Sequence, residues 1–253
     1  MQKKSISEIR EELRSLPEEK LEQAMEVYQE DERKGVQNLL EASRARLLRY
    51  EKEKERIEEL CRYEKSFRQY SFICGIDEVG RGPLAGPVVA GAVILPKDSR
   101  ILYINDSKKL SAAKREELFE IIKKEAVSVG IGLVPHTVID EINILQATYE
   151  AMRKAIASLP VTPDLLLNDA VTIPGVDIRQ VPLIKGDAKS ISIGAASIMA
   201  KVYRDRMMEE YDKMYPGYGF ASNKGYGSSE HIRALKEMGP SPIHRMSFLK
   251  NII

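Results

Sequence analysis

The chain has 253 residues, and its 39 Lys and Arg against 38 Asp and Glu leave a formal net charge of +1. That balance excludes a strongly basic nucleic-acid coat and an acidic disordered tail, while 43% hydrophobic residues suffice for a sizeable core. The longest apolar stretches, such as 88–95, fall far short of the ~20 residues a bilayer span requires. Two cysteines, Cys61 and Cys74, are too few for a disulfide scaffold or a thiolate metal cage. The first ten residues turn acidic and polar where a secretory leader needs an apolar run. A soluble, cytoplasmic protein with no membrane partner is expected.

Charge is unevenly spread: residues 1–70 hold 33 charged side chains, and the remaining 183 hold 44. Every glycine except Gly35 and every proline except Pro17 lies beyond residue 70. This divides the chain into a helical N-terminal extension over 1–70 and a second domain over 71–253. In the extension, Leu39, Leu40, Leu47, Tyr50, Ile57, Leu60 and Phe67 recur at helical spacing. Ser5 and Glu8 form a capping-box start, and Pro17 suits the first turn of a new helix. Packing on a neighbour is the expected role. Arg44, Arg46 and Arg49 offer an alternative nucleic-acid contact, but acidic neighbours cancel most of their field.

Beyond the boundary, 71–79, 87–95 and 127–135 read as three strands. Ser111 caps a helix carrying Leu118, Phe119, Ile121 and Ile122. A helix follows over 145–159, ended by Pro160 and Pro163. Residues 164–169 are a short apolar run suited to a strand buried on both faces. A fifth strand is expected over 179–184 and a long helix over 192–214. The order implies an α/β fold, a mixed five-stranded sheet with helices on both faces.

The chemistry is expected at strand ends. In 75–82 (G-I-D-E-V-G-R-G), Asp77 and Glu78 interrupt an apolar strand. Adjacent strand residues point to opposite faces, so both reach one site only where the strand ends or bends. Gly80 and Gly82 supply a bend and let the backbone approach a ligand. A buried carboxylate needs compensation, and hard cations such as Mg²⁺ or Mn²⁺ suit its oxygens. The same pair could instead cap the strand and pair with Arg81. Asp169 ends the second buried run, where α/β sheets place ligands, although Asn168-Asp169 also suits a plain turn. Asp187 follows the fifth strand and could equally cap the long helix. Asp205, between two arginines, reads as part of a surface ion-pair face. His136, His231 and His244 have no zinc-site spacing and read as ordinary surface or hydrogen-bonding residues. Clustered carboxylates holding two cations are the machinery of phosphodiester hydrolysis.

At this point the motifs become specific. Residues 75–90, 106–110 (D-S-K-K-L), 195–206 and 225–231 (G-Y-G-S-S-E-H) resemble, in order, those of bacterial ribonuclease HII. The resemblance covers roughly 71–250. It implies a ribonuclease H-like fold and an endoribonuclease acting on RNA–DNA hybrids. It further implies incision 5′ of single ribonucleotides in duplex DNA, leaving 3′-hydroxyl and 5′-phosphate ends. By the same resemblance, Asp77, Glu78, Asp169 and Asp187 match four catalytic metal ligands for Mn²⁺ or Mg²⁺ in a two-metal site. Gly80, Arg81 and Gly82 match the loop whose backbone reads the ribose 2′-hydroxyl. Tyr226 matches the tyrosine that stacks at the junction. Ser107, Lys108 and Lys189 are weaker candidates for phosphate contacts.

Ala170 stands where the family pattern often has glycine, which bears on loop geometry and leaves the acid in place. The related ribonuclease HIII reads Gly-Lys-Gly at the loop, so Arg81 favours HII. Near-zero net charge requires a local phosphate-binding cluster, expected around Lys201, Arg204, Lys224, Arg233 and Lys236. The protein is expected to act as a monomer. A sliding-clamp contact is left open, with the apolar tail 247–253 free to dock on the domain or on a partner.

Overall fold

The computed structural model describes residues 4–250 and 252. The chain forms two compact units, one up to Glu58 and one from Glu59 onward. In the first, α1 (Ile6–Ser15) begins with the expected capping box: Glu8 N–H donates to Ser5 Oγ and Ser5 N–H to the Glu8 carboxylate. Pro17 precedes α2 (Glu18–Glu26) as its N-cap residue, and α3 (Lys34–Leu60) follows. Ile9, Leu13, Leu21, Met25, Val36 and Leu40 make the core of this unit. Arg46 is used there too, donating to the carbonyls of Leu13 and Leu16 at the end of α1 and to Glu18. That guanidinium closes a helix C-terminus.

The second unit opens with α4 (Arg62–Ser66), β1 (Ile73–Val79) and β2 (Val88–Ile94), then α5 (Ala112–Glu125) and β3 (Ser128–Val134). There follow α6 (His136–Ala157), β4 (Leu165–Asp169), β5 (Gln180–Leu183) and α7 (Ile191–Met214). Short helices α8 (Phe220–Asn223), α9 (Ser229–Met238) and α10 (Met246–Leu249) finish the described chain. The strand order is β3-β2-β1-β4-β5. β1 is antiparallel to β2 and parallel to β4, so the sheet is mixed as expected. The helix expected from 145 in fact starts at His136, with a break at Asn143 (φ 67°, ψ 164°). The Asn143 side chain accepts from the N–H groups of Leu145 and Gln146, which restarts the helix.

Alternation along β1 assigns each face. Cys74 and Ile76 join the core under α6, together with Ala147, Ala151 and Met152. Gly75 faces the other way, where α7 lies so close that a Cβ on Gly75 would stand 2.0 Å from the Ser192 carbonyl carbon. On β2, a Cβ on Gly91 would meet the Ala196 oxygen at 2.5 Å. These two glycines let a helix backbone rest directly on the sheet. The start of α7 is held by two acceptors: Ile193 N–H donates to Ser190 Oγ, and Ser192 N–H donates to Glu64 of α4. A carboxylate at that end also meets the positive pole of the helix.

Candidate active site

Asp77 and Asp169 come together through strand register. β1 and β4 run parallel with Ile76 opposite Asn168, so the next residues, Asp77 and Asp169, stand side by side on the α7 face, Asp169 as the last residue of β4. β1 does not end at its acids as expected but stays paired with β2 through Glu78 to Val79. Asp77 is 7% exposed. Burial, and after it the charge of Glu78, pushes its carboxyl well above the usual carboxylate range, with Ser197 of α7 pulling the other way. Burial also raises Glu78, against the opposing pull of Arg81, and Asp169 adds to the rise. Glu78 Oε1 accepts from Arg81 at 3.1 Å, so the strand-capping ion pair anticipated from sequence does form. Yet Glu78 Oε2 is buried and has no hydrogen-bond partner.

Asp187 sits on a single 3₁₀ turn, Gly186–Ala188, after β5. Gly186 N–H donates to Asp169 Oδ1 at 2.7 Å, which ties that turn to the end of β4. Asp187 does not cap α7, because Ser190 holds that position. Burial raises its carboxyl, with Asp106 next and then Asp169 adding to the shift, and Lys108 opposing. Asp106 thus belongs to the same acidic edge. It opens the D-S-K-K-L motif, but the sequence reading gave it no role. Ala170, the departure noted above, has φ 57°. That is the left-handed conformation glycine adopts at no steric cost, which is why glycine suits this position.

The four acids lie toward one end of the central strands: Asp77 and Glu78 on β1, Asp169 at the end of β4, and Asp187 on the turn that Gly186 ties to Asp169. As they stand, no three His, Cys, Asp or Glu side chains among the described residues are grouped to ligate one ion. The residues nonetheless suit a divalent cation, since Glu78 offers an unpartnered buried oxygen and Asp77 a carboxylate whose charge nothing nearby neutralises. Oxygen-only donors of this kind match Mg²⁺ or Mn²⁺.

The loop after β1 lies beside these acids. Gly80 has φ 90°, and a Cβ there would meet Arg204 Nε at 2.3 Å. A Cβ on Gly82 would lie 3.6 Å from Tyr226 Cε1, so the loop and the tyrosine are neighbours although 144 positions separate them in sequence. Tyr226 is 43% exposed. Ser107 is buried, its hydroxyl 3.0 Å from Ser197 Oγ beside Asp77, while Lys108 and Lys189 are exposed.

Two sequence expectations need correction. Arg204 is not a surface phosphate contact: it is fully buried and donates to the carbonyls of Pro87, Lys224 and Ala85. Asp205 is not on a solvated face, being buried against Lys201 at 2.8 Å and Arg115 at 3.8 Å. Of the two alternatives for His231 and His244, surface or hydrogen-bonding, the second holds: both are buried and hydrogen-bonded. Of the proposed phosphate cluster, Arg233 and Lys236 are exposed, while Lys224 pairs with Glu209. Arg245 was not singled out at all; one arginine in a tail carries no periodic or motif signal of burial.

A mixed five-stranded sheet in this order, with acids side by side on its adjacent parallel strands, is the frame of a ribonuclease H-type nuclease. Solved structures bear this out. Ribonuclease H2 from Pyrococcus horikoshii OT3 matches with a TM-score of 0.60 at 30% identity, covering 70% of this chain and 93% of that one. A ribonuclease HII from Archaeoglobus fulgidus, solved in complex with PCNA, matches with a TM-score of 0.59 at 29% identity, covering 70% and 94%. A ribonuclease HII from Lachnoclostridium phytofermentans is 64% identical over 247 residues, 98% of this chain and 97% of its own. The family models for Ribonuclease HII and for the Ribonuclease HII N-terminal domain match residues 74–251 and 5–68. The chain belongs to the ribonuclease HII family and is a ribonuclease H, an endonuclease among the hydrolases.

Proposed function

We propose that this enzyme hydrolyses the RNA strand of RNA–DNA hybrids and incises duplex DNA 5′ of single embedded ribonucleotides, leaving 3′-hydroxyl and 5′-phosphate ends. The observation that carries this reading is the meeting of Asp77 and Asp169 on one face of adjacent parallel strands, beside the unpartnered oxygen of Glu78. Asp77, Glu78, Asp169 and Asp187 are the residues that would hold two Mg²⁺ or Mn²⁺ ions. Bound there, the cations supply Lewis acidity toward the attacking water and the leaving oxygen. Gly186 orients Asp169 through its N–H, and Ser197 stands against Asp77 from α7. Arg81 holds Glu78 in place. The Gly80–Gly82 backbone and the half-exposed Tyr226 ring would flank the ribose, whose 2′-hydroxyl separates RNA from DNA.

Lys108, Lys189, Arg233 and Lys236 are exposed and would contact phosphates, and with a net charge of only +1 affinity is expected to fall with salt on a modest slope. No helix among the described residues is long and apolar enough to cross a membrane. Action in the cytoplasm as a monomer is part of the proposal. The Archaeoglobus relative was solved with PCNA. A clamp contact here would need a surface other than Phe248 and Leu249, which pack into the second unit. The test is cleavage of a DNA duplex containing one ribonucleotide, with and without Mn²⁺ or Mg²⁺, mapping the cut. A metal-dependent cut 5′ of the ribonucleotide is expected; no cut, or a cut elsewhere, removes the reading.

A further inference from the structure

Arg245 is fully buried, and among the described residues no carboxylate pairs with it directly; the charge of Asp140, held by the Met246 and Ser247 N–H groups, reaches it from farther off. A buried guanidinium without a counter-ion is costly unless its donors are satisfied. Its donors are spent on one loop: Nη2 donates to the Gly80 carbonyl at 2.6 Å, Nη1 to Arg81 at 3.0 Å and Nε to Gly86 at 2.9 Å. The flanking backbone is paired as well, with Arg245 N–H donating to Leu84 O and Gly86 N–H to Ile243 O.

A trans peptide plane is rigid and points its N–H opposite to its C=O. Drawing the Gly80 and Arg81 carbonyls inward onto one guanidinium therefore turns the N–H groups of Arg81 and Gly82 outward. Neither N–H has a hydrogen-bond partner among the described residues, and both residues are exposed. On the far side of Gly82 stands Tyr226. We propose that Arg245 is a positioning residue for ribose recognition, aiming the Arg81 and Gly82 N–H donors at the 2′-hydroxyl oxygen of a ribonucleotide seated against Tyr226. This rests on the reading of the Gly80–Gly82 loop given above.

The test compares affinities in Ca²⁺, where binding is read apart from turnover, for a DNA duplex with one ribonucleotide and for the all-DNA duplex of the same sequence. Wild-type protein is expected to favour the ribonucleotide. Arg245→Lys keeps the charge but cannot span three carbonyls. It is expected to lose about tenfold of that preference, the worth of one well-aimed hydrogen bond, with all-DNA affinity unchanged within twofold. A folded Arg245→Lys protein with the wild-type ratio overturns the proposal. If wild type itself shows no preference, the loop reading fails and the proposal with it. Should the variant not fold, amide exchange on the wild type decides. The Arg81 and Gly82 amides are expected to become protected by the ribonucleotide duplex and not by the all-DNA duplex; equal protection by both overturns the proposal.

Discussion

His231 and His244 meet Nε2 to Nε2 at 2.9 Å inside the C-terminal lobe of the second unit. Ser241 N–H donates to His244 Nδ1 at 2.8 Å, so that nitrogen carries the lone pair and the proton sits on Nε2. It is donated to His231, whose own Nδ1–H reaches the Tyr226 carbonyl at 2.8 Å. Two neutral imidazoles thus relay from a backbone amide to the tyrosine beside the glycine loop. Burial, reinforced by His231, lowers His244 to about 4 from the usual 6.5. A depressed folded value makes its stability contribution complete above pH 6.5 and lost as pH falls toward 4. We expect the denaturation midpoint to decline across that window, by the equivalent of about 3 kcal/mol at most. His244→Gln should show a flatter profile; an unchanged slope would exclude His244 as the source.

Asp77 has opposite signs for stability and function. Its ionised form is disfavoured by burial and by Glu78, so Asp77→Asn removes a strained charge. We expect the metal-free variant to melt a few degrees above wild type and to lose cleavage by at least about a hundredfold, with duplex binding retained. Mg²⁺ should raise the melting temperature of wild type and leave that of the variant nearly unmoved. Near-full turnover by the variant would remove Asp77 from the site.

Gly75→Ala should harm both stability and activity. Its Cβ would overlap the Ser192 backbone at 2.0 Å, where no rotamer can give way. Lifting α7 off β1 costs about 3 kcal/mol or more and also withdraws Ser197 from Asp77. Chemical denaturation and a cleavage assay check the two effects together; wild-type values in both would contradict the contact.

Tyr226→Ala should weaken incision at single ribonucleotides about tenfold while affecting long hybrids less, because a stacked ring matters most where one ribose must be found. Parallel kcat/KM measurements on the two substrates decide. An equal loss on both would take away its junction role.

Much of this molecule was legible in order along the chain. The five strands fall close to where apolar runs and turn residues place them, and Ser5 and Ser111 cap their helices as expected. The buried arginines and histidines escaped notice for one reason. Arginine and histidine are read as solvated because burial is costly, and only a three-dimensional arrangement of carbonyls can offset that cost. Arg204 takes such carbonyls from Ala85, Pro87 and Lys224, and Arg245 from Gly80, Arg81 and Gly86.

By itself the sequence determined the class of fold, the family motifs and which acids interrupt apolar strands, since those depend on residue type and short-range periodicity. Tertiary structure alone decided that Asp77 and Asp169 share a face, that Tyr226 lies against Gly82, and that two arginines and two histidines turn inward. Those facts depend on strand register and on hydrogen bonds between separate segments, which no periodic pattern encodes.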